Sequence, residues 1–281
     1  MNAVRQLVRE YLLALQFFTR IPITGRLADW VGYSPELLRA SAGHFPGVGV
    51  VVGAAAAAVY ALLQAMLPDS PFAPLLAAVL STVASVLLTG GFHEDGLTDV
   101  VDGLGGSHNR ERALDIMKDS RVGAFGVLAL VLALLCKVAL LAILGSVEGI
   151  PLAWDEAPFS SWYICTALLT GHVASRGLPL LLIRLLPHVG DTASSKSKPL
   201  ADQISRGSLA VAFAWCFVVL ALASLALEAT NLIVACSFAV LALLWMARLF
   251  MRRLQGFTGD CLGATQQVCE IAFYLGLAVS L

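Results

Sequence analysis

Residues 90–106, GGFHEDGLTDVVDGLGG, form the most informative stretch of the chain. They place His93 and several carboxylates directly after an apolar run that is typical of a membrane span. Asp95, Asp99 and Asp102 stand at i, i+4 and i+7, so a helix would project all three from one face. Like charges repel each other, and the repulsion grows near lipid, where water is scarce. The stretch therefore predicts either a bound cation or a solvated acidic loop between two spans.

The ligand types indicate which cation would bind. Carboxylate oxygens in this number favour a hard ion, Mg²⁺ or Mn²⁺, over zinc. The six cysteines fall mostly within apolar runs and include no CxxC pair, so neither a thiolate metal site nor a disulfide framework is indicated.

Composition sets the class of protein. Of the 281 residues, 58% are hydrophobic and 13% are charged, whereas a soluble domain carries about a quarter charged residues. The sequence therefore predicts an all-α, polytopic membrane protein whose residues 1–281 form a single domain.

Apolar segments predict about seven transmembrane helices. They lie near residues 45–67, 75–89, 123–144, 162–186, 209–227, 232–250 and 263–281. The second is short for a bilayer core of about 30 Å. Ahead of them, residues 4–21 have apolar positions at helical spacing and predict an amphipathic helix in the interface or under the bundle. Residues 24–44 predict a connection with at most a short helix at 35–40.

Lysine and arginine predict the orientation. The connections at 68–74, 145–161 and 228–231 contain none, whereas the N-terminal segment and the alternate connections carry arginine, and two of those connections also carry lysine. Under the positive-inside rule the N-terminus is cytoplasmic and the C-terminus lies outside. The acidic stretch, the connection after it and residues 255–263 are then predicted to face the cytoplasm.

The connection after the acidic stretch predicts a second helix, over residues 110–119, capped by Ser107 or Asn109. On this helix Asp115 and Asp119 are i, i+4 neighbours, and Lys118 and Arg121 flank them. Carboxylate-bound metal beside Lys and Arg suits phosphoryl transfer. The alternative for the two cations is ordinary anchoring on the cytoplasmic side.

Two further segments carry candidate residues. Gly256, Gly259 and Gly263 bracket Asp260 before the last span, which suggests backbone that approaches a phosphate closely, or a plain helix end with Asp260 as its N-cap. His172 and Arg176, at i, i+4 in the fourth span, either contact an anionic substrate or satisfy a buried acid such as Glu270. Their position alone does not decide between these roles.

Five motifs together resemble one family, the cobalamin synthases or adenosylcobinamide-GDP ribazoletransferases. They are LQFFTRIPI (15–23), HFPGVGVVVG (44–53), GGFHEDGLTDVVDGLGG (90–106), RALDIMKDSRVGAFG (112–126) and GFTGDCLGATQQVCE (256–270). They cover the N-terminal, central and C-terminal parts of the chain. Thr98 stands where the family usually has Ala, and residues 145–210 carry no transferable motif.

The resemblance implies a reaction. The adenosylcobinamide-phosphate group of adenosylcobinamide-GDP passes to the 5′-hydroxyl of α-ribazole, or to α-ribazole 5′-phosphate, and GMP is released. Mg²⁺ is the implied cofactor, and the implied place is the cytoplasmic face of the bacterial inner membrane. No nucleic acid is implied. A homo-oligomer, or an association with other corrinoid-assembly enzymes, stays open.

The resemblance also implies roles for individual residues. The implied metal ligands are Glu94, Asp95, Asp99, Asp102, Asp115 and Asp119. Asp119 or His93 would accept the proton of the attacking hydroxyl, with Lys118 and Arg121 at the phosphates. Asp260 would bind metal or a nucleotide ribose, and Gly259 and Arg176 are the remaining candidates for substrate binding.

Two other functions compete with this one. The pattern Asp99-x-x-Asp102-Gly103 followed by Asp115-x-x-x-Asp119 is similar to that of the CDP-alcohol phosphotransferases, although the spacing between the pairs differs. Acids, a histidine and an arginine within spans also fit an ion-coupled transporter. Against the transporter, the carboxylates cluster at one membrane edge and no inverted repeat is evident.

Overall fold

The computed structural model describes residues 3–146, 161–190 and 203–281, and these residues form helices with short connections. Part of the charge pattern that predicts the orientation, at 148–156 and 196–198, lies outside the described residues. The helices are α1 Ala3–Phe18, α2 Gly25–Val31, α3 Pro35–Ser41, α4 Phe45–Met66, α5 Ala73–Thr89, α6 Phe92–Gly106, α7 Arg110–Met117, α8 Ala124–Gly145, α9 Trp162–Gly177, α10 Leu180–Leu185, α11 Arg206–Ala223, α12 Ala229–Arg253 and α13 Gly259–Val279. A 3₁₀ turn, Ala42–His44, joins α3 to α4.

The predicted spans are confirmed as helices. Six helical segments of the described chain are long and apolar enough to cross a membrane, and there are seven if the bent pair α5–α6 counts as one span. The fourth predicted span, 162–186, is interrupted between α9 and α10 at Pro179, which has no N–H to continue the backbone ladder. The chain is therefore an all-α, multi-pass membrane protein.

The N-terminal region contains more helix than the sequence predicts. The amphipathic helix is confirmed as α1, whose second half packs into the core while Val4, Leu7 and Val8 stay exposed. The short helix predicted at 35–40 is α3, and Ser34 caps it by accepting a hydrogen bond from Leu37 N. Helix α2 was not expected, because its seven residues are too few to show a periodic pattern.

The bundle has inner and outer helices. Helices α9 and α13 lie mostly buried in its interior, whereas α8, α11 and α12 expose apolar side chains such as Leu132, Phe217 and Leu241. An apolar surface of this kind is stable against lipid and would be unfavourable in water. The outer helices thus provide the lipid-facing wall.

A sharp bend separates α5 from α6. The two axes meet at 90°, and the residues between them, Gly90 and Gly91, have φ values of +71° and +72°. Residues with a side chain avoid this left-handed region, so a pair of glycines suits the bend. Because of it, α6 turns across the end of the bundle instead of extending α5.

Hydrogen bonds join several chain segments at this end of the bundle. Arg20 N donates to Leu88 O at 2.7 Å, which joins the end of α1 to the end of α5. Arg253 Nη2, in the last turn of α12, donates to Leu104 O at 2.8 Å and to Ser107 O at 2.7 Å. The segments predicted to face the cytoplasm therefore meet at one end.

Helices α4 and α9 cross at very short range because glycine lies at the contact. A Cβ added at Gly49 would meet His172 O at 2.5 Å, and one at Gly53 would meet Leu169 Cα at 2.9 Å. Small residues let helix backbones approach closely in membrane proteins.

We predict opposite effects for two Gly→Ala substitutions. Gly49→Ala should lower the free energy of unfolding by about 1–3 kcal/mol, because the added methyl group separates α4 from α9. Gly207→Ala, where the nearest atom is Ser205 Oγ at 3.6 Å, should be neutral or stabilising, since alanine favours helix. Thermal unfolding of the detergent-solubilised protein measures both, and a Gly49→Ala protein as stable as the parent would contradict the prediction.

Candidate active site

A cavity lies where α1, α4, α6 and α13 meet at the end of the bundle that carries the acidic stretch. Four of the candidate residues line it: His93 and Asp95 from α6, and Gly259 and Asp260 from the start of α13. The other lining side chains are apolar and mostly aromatic. The structure thus joins two segments that are about 165 residues apart in the chain.

Glycines at the crossing of α6 and α13 allow this approach. A Cβ on Gly96 would come within 2.8 Å of Asp260 O and 3.3 Å of Gly263 Cα. Thr258, not Asp260, caps α13, because its side chain accepts a hydrogen bond from Cys261 N at 3.4 Å. The sequence left open whether Asp260 is the N-cap of α13, and in the structure it is not.

Asp99 experiences the charges of three other carboxylates, those of Asp260, Asp95 and Asp102. Within the described residues, Asp95, Asp99 and Asp260 form no ion pair with a lysine or arginine. No three His, Cys, Asp or Glu side chains of that same part of the chain lie close enough to hold a metal ion together. Among the residues that the structure describes, the carboxylates of this group therefore lie near one another, without a lysine or arginine partner and without a preformed metal cage.

Asp102 points away from this group and caps the next helix. Its Oδ2 accepts a hydrogen bond from Gly123 N at 2.6 Å and its Oδ1 accepts one from Gly126 N at 2.8 Å. Both N–H groups belong to the first turn of α8, which has no other partner for them, and a carboxylate also suits the positive end of a helix dipole. Asp102 thus has a structural role that spacing alone did not reveal.

Glu94 faces the interior of the bundle. It is buried, and its Oε1 accepts a hydrogen bond from Gln267 Nε2 of α13 at 3.0 Å. Its Oε2 is also buried and has no partner among the described residues. Gln267 Nε2 in turn donates to Gln266 Oε1 at 2.9 Å. Glu94 is therefore connected to a buried network of polar side chains.

Glu270 is the centre of that network. Lys137 Nζ of α8 lies 2.6 Å from its Oε1. Tyr274 Oη donates to the same oxygen at 3.2 Å, and Gln266 Nε2 donates to Oε2 at 2.7 Å. Both oxygens are thus hydrogen-bonded, which a buried carboxylate requires.

Arg176 belongs to the same network and does not line the cavity. Its Nη1 donates to His172 O and lies 3.0 Å from His172 Nδ1. The same ring nitrogen lies 3.5 Å from Glu270 Oε2, so the His172 ring lies between Arg176 and Glu270. The Arg176 guanidinium also lies 5.6 Å above the ring of Phe45. Of the two roles predicted for this pair, satisfying buried groups is the one the contacts support.

The charges of this network balance. Lys137 and Arg176 carry two positive charges, and Glu94 and Glu270 carry two negative charges, all on nearly inaccessible side chains. A balanced set avoids the large cost of an isolated charge in an apolar interior.

The second predicted acidic pair is apart from the cavity. Helix α7 ends at Met117, so Asp115 is on the helix and Asp119 lies beyond it, and the predicted helical pairing over 110–119 is wrong in this detail. Asn109 is the cap, since its side chain accepts a hydrogen bond from Arg112 N at 2.9 Å. Asp115 and Lys118 are exposed.

Asp119 and Arg121 form an exposed ion pair. The Arg121 side chain and backbone N–H both donate to the Asp119 carboxylate, at 3.0 Å each for Nε and N. These hydrogen bonds lower the pKa of Asp119 to about 2, and the Asp119 carboxylate raises the pKa of Arg121. Asp119 is consequently a weak base at neutral pH.

Four phenylalanines of the cavity were not among the predicted site residues. Phe17, Phe18, Phe45 and Phe92 line it together with His93. Each lies in one of the motifs quoted above, so the signal was present in the sequence. Apolar residues inside a membrane protein are too common for that signal to be distinguished from core packing.

Comparisons with known proteins give a consistent result. The family model described as cobalamin-5-phosphate synthase matches residues 10–278. An adenosylcobinamide-GDP ribazoletransferase of Polaromonas sp. (strain JS666 / ATCC BAA-500) is 79% identical over 282 residues, covering 100% of both chains. Proteins of the same name from Polaromonas naphthalenivorans (strain CJ2) and Vibrio cholerae serotype O1 are 76% and 39% identical, over 98% and 97% of this chain and 99% and 94% of theirs. No solved structure matches the chain.

The cap on α8 yields a stability prediction. Asp102→Ala should lower the free energy of unfolding by about 1–3 kcal/mol, because it leaves two N–H groups at the start of α8 without partners. Asp115→Ala, which removes an exposed carboxylate from α7, should change it by less than about 0.5 kcal/mol. Thermal unfolding in detergent provides the comparison. Equal stability of the two variants would argue against the capping role.

The buried pair yields a second prediction. Lys137→Met should destabilise the protein by about 3–5 kcal/mol, because it leaves the Glu270 carboxylate buried without its cation. Adding Glu270→Gln should recover part of the loss, since the lone charge is then removed. A double-mutant cycle of unfolding free energies measures this coupling, and additive losses would show that the two side chains act independently.

Proposed function

The chain belongs to the cobalamin-5-phosphate synthase family, and from this membership we propose that it is an adenosylcobinamide-GDP ribazoletransferase. It joins the adenosylcobinamide-phosphate group of adenosylcobinamide-GDP to α-ribazole or α-ribazole 5′-phosphate and releases GMP. The single observation that carries the assignment is the match along nearly the full chain to proteins of that name. The cavity with its carboxylates provides a place for the reaction.

The chemistry limits which hydroxyl attacks. An acceptor oxygen forms a bond to the phosphorus next to cobinamide, the P–O bond to the bridging oxygen breaks, and GMP leaves with that oxygen. The 5′-phosphate form of α-ribazole has no free 5′-hydroxyl, so one mechanism for both acceptors requires a ribose ring hydroxyl. This replaces the 5′-hydroxyl expected from the family resemblance.

The carboxylates at the cavity suit magnesium. Mg²⁺ is usually held by one or two carboxylates together with substrate phosphates and water, not by an all-protein cage. Asp95, Asp99 and Asp260 are acids of this kind, and none of them forms an ion pair with a lysine or arginine among the described residues. When bound there, the ion would neutralise negative charge on the diphosphate. Asp102 and Glu94 have other partners and are weaker candidates.

His93 is the better candidate for the proton acceptor. It lines the cavity, and its buried Nε2 has no hydrogen-bond partner among the described residues. Asp119 is less suitable, because a carboxyl group with a pKa of about 2 holds a proton poorly at neutral pH. A neutral imidazole near the reacting hydroxyl would take up its proton as the new P–O bond forms.

Charge at the membrane edge supports the proposed location. Lys118, Arg121, Arg252 and Arg253 belong to connections that meet at the same end of the bundle as the cavity. Under the positive-inside rule this end faces the cytoplasm and the N-terminus is cytoplasmic. For a bacterial protein the membrane is then the inner membrane, and Lys118 and Arg121 remain candidates for attracting the anionic substrate.

Family membership also decides against the competing functions. The relatives carry the name of a ribazoletransferase, neither that of a CDP-alcohol phosphotransferase nor that of a transporter. The buried acid Glu270, which an ion-coupled transporter would use, is neutralised here by Lys137 and hydrogen-bonded on both oxygens.

We predict that Asp99→Asn abolishes most of the transferase activity. Purified protein in detergent should release GMP from adenosylcobinamide-GDP only when α-ribazole and a divalent metal are both present. Asp99→Asn should lower kcat/KM by on the order of 100-fold or more, because it removes a negative charge that would help to hold the metal and the diphosphate.

The control for this experiment is Asp69→Asn. Asp69 is exposed in the connection between α4 and α5, outside the cavity, so its variant should be fully active. GMP release by the parent protein in excess EDTA would remove magnesium from the proposal. Full activity of Asp99→Asn would remove Asp99 from the site.

A further inference from the structure

The aromatic side of the cavity is built by residues from three helices. Phe17 and Phe18 come from α1, Phe45 begins α4, and Phe92 begins α6. Their rings contact one another, with centroids 5.0 Å apart for Phe17 and Phe18 and 6.0 Å apart for Phe17 and Phe92. Five aromatic rings, with that of His93, therefore surround one cavity.

Three of the rings form a stack. Phe18 and Phe45 are 4.2 Å apart with planes at 26°, and Phe45 and His93 are 5.5 Å apart with planes at 12°. Phe18 and Phe45 are almost fully buried, so this stack forms a fixed wall. Phe92, by contrast, meets Phe18 edge-on at 6.2 Å and keeps 43% of its surface exposed. It is the most exposed ring of the cavity and therefore offers the largest surface to another molecule.

The polar groups of the cavity are few. Of the lining side chains in the described part of the chain, only His93, Asp95 and Asp260 carry polar atoms, and the remainder are the phenylalanines, Pro179, two leucines and glycines. The cavity has a volume of about 90 Å³ and is partly open to the surroundings. A nucleoside would occupy it together with the open space in front of it, and the lining suits a flat ring with few polar atoms.

The two substrates of the proposed reaction bring different bases. The guanine of adenosylcobinamide-GDP has several hydrogen-bonding atoms around its edge, and these would be left without partners against phenylalanine. The base of α-ribazole is a benzimidazole, a flat bicyclic ring without exocyclic hydrogen-bonding groups. Aromatic side chains bind such rings by stacking.

We propose that this cavity binds the base of α-ribazole and that Phe92 is its stacking surface. The inference rests on the proposed function and adds a specificity-determining residue to it. With the base against Phe92, the ribose lies toward His93, Asp95 and Asp260, the only polar residues of the lining. The acceptor hydroxyl then reaches the side of the cavity where the carboxylates gather.

The test compares the two substrates in one set of variants. Phe92→Ala should raise the KM for α-ribazole about tenfold, because a base loses its stacking partner, while the KM for adenosylcobinamide-GDP stays within about twofold. Phe92→Trp should keep the KM for α-ribazole near that of the parent. Phe92→Leu should resemble Phe92→Ala, since leucine replaces the apolar volume but not the flat ring.

A matched control and a binding assay separate this role from a structural one. Phe72→Ala removes a phenylalanine that is 72% exposed and outside the cavity, and it should leave both KM values unchanged. Equilibrium dialysis of α-ribazole alone against the detergent-solubilised protein should show the same tenfold loss for Phe92→Ala. This measurement needs no catalysis.

Three results would overturn the inference. A rise in the KM for adenosylcobinamide-GDP alone would place guanine in the cavity, and unchanged KM values for both substrates would leave Phe92 without a binding role. A parent-like KM for α-ribazole in both Phe92→Leu and Phe92→Trp would show that binding depends on the apolar volume of residue 92 and not on a flat ring. An inactive parent protein, by contrast, would count against the proposed function itself.

Discussion

The contact between α6 and the start of α13 is the interaction on which the candidate site depends. It forms because α6 turns through 90° from α5 and because Gly96 and Gly263 let the two backbones approach closely. Without that approach, the Asp260 carboxylate would lie at the same membrane edge but away from those of Asp95 and Asp99. The contact gathers carboxylates from separate parts of the chain beside a cavity, and it does so with backbone atoms, which leaves the acidic side chains available.

A buried polar network stabilises the helices behind this contact. Glu270 of α13 is bound by Lys137 of α8, and through Gln266 and Gln267 the network continues to Glu94 of α6. The Lys137–Glu270 pair joins α13 to α8 and the Gln267–Glu94 hydrogen bond joins α13 to α6, so these two contacts fix the relative rotation of the helices as well as their separation. The charges of Lys137, Arg176, Glu94 and Glu270 balance, which permits them inside a membrane bundle.

The acids of the central stretch thus divide by function although they are neighbours in sequence. Asp102 caps α8, Glu94 enters the buried network, and Asp95 lines the cavity. Asp99 lies near the carboxylates of Asp95 and Asp260, and none of the three pairs with a lysine or arginine of the described residues. A diphosphate with magnesium would relieve that repulsion, so substrate and metal would each favour binding of the other. The apolar side of the same cavity offers a surface on which an uncharged ring can pack.

The sequence by itself determined the class of protein, the apolar spans and the family. Long apolar runs, the helical spacing of residues 4–21 and the five motifs are local patterns, and each can be recognised without knowing what it packs against. Only the tertiary structure decided which acids face the cavity and that four phenylalanines line it. Spacing along α6 gives the angle between Asp95, Asp99 and Asp102 on that helix, but not where α8 and α13 cross it. That crossing is set by side-chain packing between segments far apart in the chain. It gives three acids within nine residues of α6 different roles: Asp102 caps α8, Glu94 is buried, and Asp95 lines the cavity.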